Sequence, residues 1–221
     1  SVDISFNVTL TGESNITVHK IVVSNEQDTI YMGGLFTEVN RRIYQNFVRV
    51  TTTGQVDTTM FNPQFTELIY DFVIDRETST IYVTGKDTRR SNVGETVTGP
   101  KVLLTRINLD GTPNNQWQLN PSTLFSDESE LTQRNFIYYD SNRQRILIST
   151  KSSYYMIDEN GTLQYRRRYF LLEDETRSGI THFQYIPSLQ NVIICSSFRP
   201  EPVQVVSAEA GGVNLGRFFL G

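Results

Sequence analysis

The sequence predicts an all-β protein made of about four copies of one four-stranded unit. Short β-rich segments recur at a spacing of roughly 50 residues, a repeat length typical of stacked units. The four segments read TIYMGG (29–34), TIYVTG (80–85), RILIST (145–150) and NVIICS (191–196). A glycine-centred turn follows each segment, at Gly54, Gly111, Gly161 and Gly211-Gly212. The abundance of Tyr, Phe, Thr, Ile and Val agrees with this prediction, because these residues favour strands.

Two hairpins in each unit account for its four strands. A β-rich run and a polar turn precede each recurring segment, as in HKIVVSNEQD (19–28) and IYDFVIDRETS (69–79). The second hairpin turns at the glycine, which adopts the positive φ of a tight turn at little cost. Four-stranded meanders of this length are typical of β-propeller blades. We therefore expect a single β-propeller domain over 1–221, with about four four-stranded meander blades at approximately 15–66, 67–122, 130–172 and 180–221.

The first eight residues resemble the end of a unit. The segment VDISFN (2–7) is similar to VDTTMFN (56–62), so residues 1–8 are predicted to form an extra strand. This strand either closes the ring by joining the last blade or belongs to further blades that precede Ser1. The last unit has a candidate fourth strand of its own (213–220). A fragment or part of a larger ring therefore stands beside a compact four-bladed ring. The start at Ser1, without a Met or a signal peptide, suggests a processed protein or an excised fragment.

The range Ile30–Pro63 carries a more specific pattern. Its glycine pair, Phe-Thr pair, asparagine, strand arginine and Gly-x-x-Asp…Phe-Asn ending are Gly33, Gly34, Phe36, Thr37, Asn40, Arg49, Gly54, Asp57, Phe61 and Asn62. In these residues the chain resembles the delta-60-type β-propeller repeat family of bacterial and phage proteins. The second unit retains Gly85, Arg106 and Asp110-Gly111, and the later units retain only the hairpins. The resemblance implies a propeller, but it implies neither a defined activity nor catalytic residues.

The charge and the apolar pattern argue against several classes of partner. A net charge of −4 over 221 residues does not suit a nucleic-acid binder, which needs a broad basic surface. No apolar run approaches the roughly 20 residues that cross a bilayer, so we expect no membrane insertion. The single cysteine excludes an intramolecular disulfide. Because Cys195 lies in an apolar run, it is expected to be a small buried hydrophobe.

Residues suited to catalysis or metal binding are scarce. The two histidines, His19 and His182, start equivalent strands of different units, so they are not expected to share a zinc site. The Asp-box of sialidase propellers is absent, and Trp117 is expected to pack within a blade rather than to bind sugar. Asp158–Gly161 predicts a hairpin turn rather than a calcium loop. We predict no enzyme activity, metal or cofactor, although the 24 carboxylates leave a glycosidase pair open.

The longest links predict where binding occurs. In a propeller, the links between strands two and three share a face with the links between blades, and two of them are long, Leu35–Gln45 and Lys86–Lys101. Function tends to lie in long loops on a rigid scaffold. The candidate binding residues are Arg41, Arg42, Tyr44, Arg89, Arg90 and Asn92. With the acidic links 120–133 and 171–179, they predict a mixed-charge face for protein recognition, and a solvated rim is the alternative.

The family resemblance and the scarcity of motif chemistry together favour one function. We expect a non-enzymatic structural or interaction module of a phage virion, in the tail, baseplate or fibre. The expected partners are other virion proteins or a host surface receptor, the expected location is the virion or extracellular space, and a homo-oligomer is compatible with this function. A carbohydrate- or receptor-binding surface propeller, including one that cleaves glycans, is the alternative. A bacterial surface adhesion module is a third hypothesis.

Overall fold

A computed structural model describes most of the chain as strands and turns. The described residues are 6–13, 15–24, 28–90, 101–115, 117, 119, 135–150, 153–168, 180–186, 188–189, 191–196, 203–207 and 214–218. The chain divides into two compact units, Ser1–Trp117 and Gln118–Gly221. Within the described ranges, no helix has the length and apolarity that crossing a membrane requires.

The first unit holds two meander sheets and one small sheet, all antiparallel. Sheet I consists of β2 (Thr17–Ser24), β3 (Thr29–Leu35) and β6 (Phe47–Thr51), in that order. Sheet II consists of β7 (Ile69–Asp75), β8 (Thr80–Gly85) and β9 (Leu104–Asn108). The small sheet pairs β1 (Leu10–Thr11) with β4 (Glu38–Val39), which pairs in turn with β5 (Arg42–Ile43).

The second unit holds two complete four-stranded meanders. Sheet III consists of β10 (Phe136–Asp140), β11 (Arg145–Ser149), β12 (Ser153–Asp158) and β13 (Leu163–Arg168). Sheet IV consists of β14 (Ile180–Ile186), β15 (Asn191–Ser196), β16 (Val203–Ser207) and β17 (Asn214–Phe218). The four recurring segments of the sequence are therefore the second strands of four antiparallel sheets. The predicted all-β fold of repeated propeller-type meanders is confirmed.

The glycine turns have the conformation that the sequence predicts. Gly54, Gly111 and Gly161 have φ values of 81°, 83° and 84°. At the Asp158–Gly161 turn, the Asp158 carboxylate accepts hydrogen bonds from the backbone N–H groups of Asn160 and Thr162. Such local bonds fix the hairpin, so this segment is a turn, as predicted. The expected turn at Gly211-Gly212 lies outside the described residues.

The fourth strand of sheets I and II is shorter than expected. Where the sequence predicts a strand, only single bridges form, Val50 with Val56 and Ile107 with Pro113. Proline cannot donate a backbone hydrogen bond, so Pro113 ends the pairing in sheet II. In sheet I the chain turns at Asp57, whose side chain accepts hydrogen bonds from the backbone and hydroxyl of Thr59. Local bonds of this kind compete with strand pairing.

Sheets I and II pack face to face through an aromatic core. The Phe47 ring of sheet I meets the Phe72 ring of sheet II edge to face, with centroids 5.0 Å apart. Close approach depends on Gly33, because a Cβ there would lie 2.9 Å from Ile69 Cγ2 and 3.2 Å from Phe72 Cδ1. The buried members of this core are Tyr31, Phe47, Met60, Phe65, Ile69, Phe72, Ile81, Val83 and Ile107.

Sheets III and IV form an equivalent core in the second unit. Its buried members are Leu147, Tyr154, Phe183, Tyr185 and Val192. The Tyr138 and Tyr185 rings meet edge to face with centroids 5.1 Å apart. The Tyr185 hydroxyl donates a hydrogen bond of 2.9 Å to Asp140 Oδ2. Burial raises the pKa of Tyr185, so the phenol keeps its proton and remains a donor at neutral pH.

The segment that precedes sheet I is equivalent to the segment that connects sheet I to sheet II. Each of them pairs with the connection between the second and third strands of the sheet that follows it. Leu10 pairs with Val39 of the sheet I link, and Phe65 pairs with Arg90 of the sheet II link. A Cβ on Gly54 would meet the Asn7 carbonyl oxygen, as one on Gly111 would meet that of Phe61. The similarity of 2–7 to 56–62 thus has a structural counterpart. The predicted extra strand over 1–8 differs in extent, because residues 6–8 are irregular, the strand is Leu10–Thr11, and 1–5 lie outside the described residues.

Candidate functional site

The long link of sheet I is a small hairpin rather than an irregular loop. Strands β4 and β5 pair through Glu38–Ile43 and Val39–Arg42, leaving a two-residue turn. The two turn residues, Asn40 and Arg41, have φ values of 50° and 64°. Positive φ at both positions is the geometry that matches the twist of a tight hairpin. Arginine rarely adopts this conformation.

The hairpin folds back along sheet I. Val39 is buried against Val48 and Val50, and it belongs to the outer cluster, which comprises Met32, Phe36, Val39, Val48 and Val50. At the hairpin tip, Asn40 Nδ2 donates a hydrogen bond of 2.8 Å to the Gly54 carbonyl. The burial of Val39 holds the link against the sheet.

Two arginines and two exposed apolar side chains lie on or beside this hairpin. Arg41 and Arg42 are exposed, and Ile43 and Phe61 are each 51% exposed. Asn62 Nδ2 donates a hydrogen bond of 2.8 Å to the Ile43 carbonyl, which ties the two parts together. We call Arg41, Arg42, Ile43 and Phe61 the hairpin patch. Sequence reasoning missed Ile43 and Phe61 as surface residues, although the lone Ile in NRRIYQN stands among polar neighbours.

The other predicted binding residues have different environments. Tyr44 is half-buried and packs against the outer cluster. Arg89 Nε donates a hydrogen bond of 2.9 Å to Asp87 Oδ2, whose carboxyl group is buried. Burial raises the pKa of Asp87, but the Arg89 hydrogen bonds outweigh it and hold the pKa below its usual value. Arg89 is therefore engaged in the sheet II link. Asn92 lies outside the described residues.

Arg90 takes a position that the repeat fills with an apolar residue in sheet I. Its partner Phe65 corresponds to Leu10, so Arg90 corresponds to the buried Val39. Its Nε and Nη1 atoms are buried and have no hydrogen-bond partner. The guanidinium carbon lies 5.7 Å from the centre of the Phe61 ring, beside the hairpin patch. Burial lowers the pKa of Arg90, because the charged guanidinium loses hydration without gaining hydrogen-bond partners at Nε and Nη1.

A cavity of about 260 Å³ lies beside the base of the same link. It is lined by Gly12, Glu13, Leu35, Phe36, Thr37, Gln45, Asn46 and Thr66. Asn46 is buried with φ of 65°, accepts a hydrogen bond from Phe36 N at Oδ1 and donates one from Nδ2 to the Phe65 carbonyl. The cavity offers one carboxylate, from Glu13, and several neutral polar groups. It has room for a small polar ligand, and its described lining residues include no acid–base pair.

A buried arginine joins sheets I and II. Arg49 Nε donates a hydrogen bond of 2.9 Å to Asp57 Oδ2, and Nη1 donates one of 3.3 Å to the Leu109 carbonyl of the sheet II turn. Its guanidinium carbon lies 5.8 Å from the Tyr31 ring centre. Burial raises the pKa of Asp57, but bonds from Thr59 and the Arg49 charge outweigh it and lower the pKa overall. This pair is structural, since both side chains are largely buried.

The remaining candidates for chemistry have packing roles where the structure describes them. Trp117 is buried, and its ring meets Tyr82 edge to face at 6.0 Å, which confirms a packing residue. His19 lies 5.8 Å from Tyr70, also edge to face. Cys195 is partly exposed rather than fully buried, and desolvation raises the pKa of its thiol. Among the described residues, no group of three His, Cys, Asp or Glu could hold a metal ion.

Comparison with known proteins adds a structural similarity only. No family model matches the chain, and no curated protein matches its sequence. The solved structures that are similar include the WD40 domain of SCAP from fission yeast, with 14% identity and a TM-score of 0.38. That match covers 99% of this chain and 48% of the other, so the chain spans about half the length of that structure. At this level of similarity the assignment of propeller-type sheets rests on the strand order described above.

Proposed function

We propose that the chain is a non-enzymatic interaction module of a phage virion, in the tail, baseplate or fibre. Through the hairpin patch it binds another virion protein or a host surface receptor. The observation that carries this proposal is the patch itself, in which Ile43 and Phe61 are half exposed beside two arginines. Aromatic and arginine side chains are the residues most enriched at the centres of protein interfaces.

The phage assignment is supported by the residues of the Ile30–Pro63 repeat. The structure gives several of these residues architectural roles, since Gly33 admits the neighbouring sheet and Asn40 ties the hairpin to Gly54. A repeat maintained for packing leaves the exposed residues of each unit free to vary with the partner. This division suits a virion component, whose role is to hold or contact other proteins.

The test is incorporation into particles. Gradient-purified particles from the source culture should contain the chain in a fixed ratio to a major virion protein, measured by quantitative mass spectrometry. An Ile43→Glu variant should be lost from the particles, because it places a charge at the centre of the hairpin patch. Leu189→Glu, which charges an apolar residue 64% exposed in the other unit, should be incorporated like the wild type. Absence of the wild-type chain, or equal incorporation of both variants, would refute the proposal.

The cavity supports carbohydrate binding as a second candidate function. Its Glu13 carboxylate, together with Thr37 and Gln45, provides polar surface for sugar hydroxyl groups. The cavity volume of about 260 Å³ suits one sugar residue rather than a long chain. Glycan-array binding that Glu13→Gln abolishes, with the hairpin variant unaffected, would favour this function. Depolymerisation of a surface polysaccharide by the purified chain would extend it to catalysis.

A further inference from the structure

One face of sheet I is left bare along its edge strand β2. Val18, Ile21 and Val23 lie on the face opposite the sheet II contact, because they pair with Gly34, Met32 and Ile30 of β3. Ile21 and Val23 are 56% and 55% exposed, and Val18 is 37% exposed. Three adjacent β-branched residues on an open edge strand form a surface that soluble proteins usually cover.

The position of Ile21 is buried in the other three sheets. In every sheet this residue pairs with the fourth residue of the recurring segment. Its counterparts are Phe72 in sheet II, Ile137 in sheet III and Phe183 in sheet IV. Their exposed fractions are 1%, 7% and 8%, against 56% for Ile21. In sheet II the covering surface is the other face of a sheet of the same repeat, since the Phe47 ring of sheet I lies on Phe72.

In sheet IV the opposite face is the one that is more exposed than in the other sheets. Ile193 is the third residue of its recurring segment and is partly exposed. Its counterparts Tyr31, Tyr82 and Leu147 have exposed fractions of 0%, 1% and 0%. Gln184, the cross-strand neighbour of Ile193, is exposed as well. Among the four described sheets, sheet I thus has one packing face exposed and sheet IV has the opposite one exposed.

We propose that these two faces pack against each other between two copies of the chain. The bare face of sheet I in one copy packs against the face of sheet IV that carries Ile193 and Gln184 in the second copy. This contact resembles the one in which sheet II packs against sheet I within the chain. The contact joins two different surfaces, so two copies can satisfy both contacts by closing into a ring. A second copy is the occupant that the structure favours, because the surface covering this face elsewhere is a sheet of the same repeat. The proposal goes beyond the hairpin patch and holds whether or not the chain belongs to a virion.

Charge placed on the bare face tests the proposal. The wild-type chain should sediment as a dimer at micromolar concentration. The Ile21→Lys/Val23→Lys variant should sediment as a monomer, with the dissociation constant raised about 100-fold or more by two buried charges. Leu189→Lys is the control, because Leu189 is 64% exposed in the turn between β14 and β15, outside the strands that form the two faces, and it should dimerise like the wild type. Unchanged Trp117 fluorescence would show that the variant is folded. A monomeric wild type, or a dimer that survives the double substitution, would overturn the proposal.

Cross-linking tests which face meets which, and it does not depend on a charged variant folding. Cys195 is the only cysteine and lies on the same face of β15 as Ile193. In an Ile21→Cys variant, a short bismaleimide should link residue 21 of one copy to Cys195 of another, giving a covalent dimer on a denaturing gel. The Ile21→Cys/Cys195→Ser variant should give far less. A product linked within one chain would show that the chain's own sheet IV covers the face, and it would overturn the proposal, as would the absence of any product.

Discussion

Sheets I and II are successive copies of one repeat, yet the third-strand arginines of the two sheets differ in their hydrogen bonds. In both, a third-strand arginine pairs with the tyrosine of the recurring segment, Arg49 with Tyr31 and Arg106 with Tyr82. Each guanidinium carbon lies over the tyrosine ring, at 5.8 Å and 5.4 Å. Arg49 also has the Asp57 carboxylate, whereas the buried Nε of Arg106 has no hydrogen-bond partner.

The sequence explains this difference. The residue after the fourth-strand bridge is Asp57 in sheet I and Asn114 in sheet II. Asn114 Nδ2 donates a hydrogen bond to Asn108 Oδ1 instead of serving the arginine. The tyrosine–arginine stack is therefore the part of the repeat that persists, and the ion pair is an addition in sheet I. Sheet II retains the fold without it, because its faces are covered by neighbouring residues.

The largest expected effect contrasts the two arginines. Arg49→Met leaves the part-buried Asp57 carboxylate without its cation, and we expect a loss of about 3 kcal/mol in unfolding free energy. Arg106→Met removes an incompletely bonded charge, and we expect a change of less than about 1 kcal/mol. Urea unfolding followed by the fluorescence of Trp117, the single tryptophan in the chain, measures both. Equal losses would show that the ion pair contributes nothing beyond the ring stack.

A second contrast concerns the face through which sheets I and II meet. Gly33→Ala places a methyl group against Ile69 and Phe72, and overpacking of this kind costs about 2 kcal/mol. The corresponding residue of sheet II is Thr84, whose buried hydroxyl has no hydrogen-bond partner. Thr84→Val should therefore be neutral or stabilising. The same urea titration tests the pair, and a neutral Gly33→Ala would mean that the sheets can separate at no cost.

A third contrast concerns the links between the second and third strands, where sheet II has Arg90 and sheet I has Val39. Arg90→Val restores the apolar residue that sheet I has at Val39, and it removes two buried guanidinium nitrogens that have no hydrogen-bond partner. We expect a gain of about 1 kcal/mol in unfolding free energy. Arg42→Val, at an exposed position of the hairpin, is the control and should change stability little. A loss of stability in Arg90→Val would indicate that the charge has a favourable role against the Phe61 ring.

The smallest expected effect is on the pH dependence of the first unit. The pKa values of Asp57, Glu67, Asp87 and Asp110 are all lowered. For the first three, burial raises the pKa, but hydrogen bonds and nearby cations outweigh it, whereas for Asp110 the Thr112 hydroxyl is the main cause. A lowered folded-state pKa stabilises above the unfolded value of about 4, and this stability is lost as pH falls through the folded value.

We therefore expect the urea midpoint of Trp117 fluorescence to fall below pH 4 and to be nearly constant between about pH 5 and 8. Asp57→Asn should flatten the acid part of this profile as well as lower the midpoint at neutral pH. Glu67, which pairs with Lys86 and Lys101 at 2.9 Å, is more exposed, so Glu67→Gln should have a weaker effect because solvent screens the pairs. A wild-type profile that is flat down to pH 2 would contradict this prediction.

The sequence predicts the strands and turns of this chain better than its surfaces. The β-rich segments and the glycine turns depend on local geometry, so the recurring segments, Gly54, Gly111 and Gly161 are identified correctly. The hairpin patch was only half predicted, because Arg41 and Arg42 stand out as charged residues whereas the exposure of Ile43 follows from tertiary packing. Whether Arg90 is solvated or enclosed depends equally on contacts distant in sequence. The bare face of sheet I required comparison of four sheets in three dimensions.

The contacts at Gly54 and Gly111 also bear on the order in which the molecule is made. The turn of sheet I rests on Asn7 and that of sheet II on Phe61, so each sheet is braced by a stretch that leaves the ribosome before it. Neither contact requires residues that are synthesised later than the sheet itself. The earlier sheets can therefore fold one after another during translation.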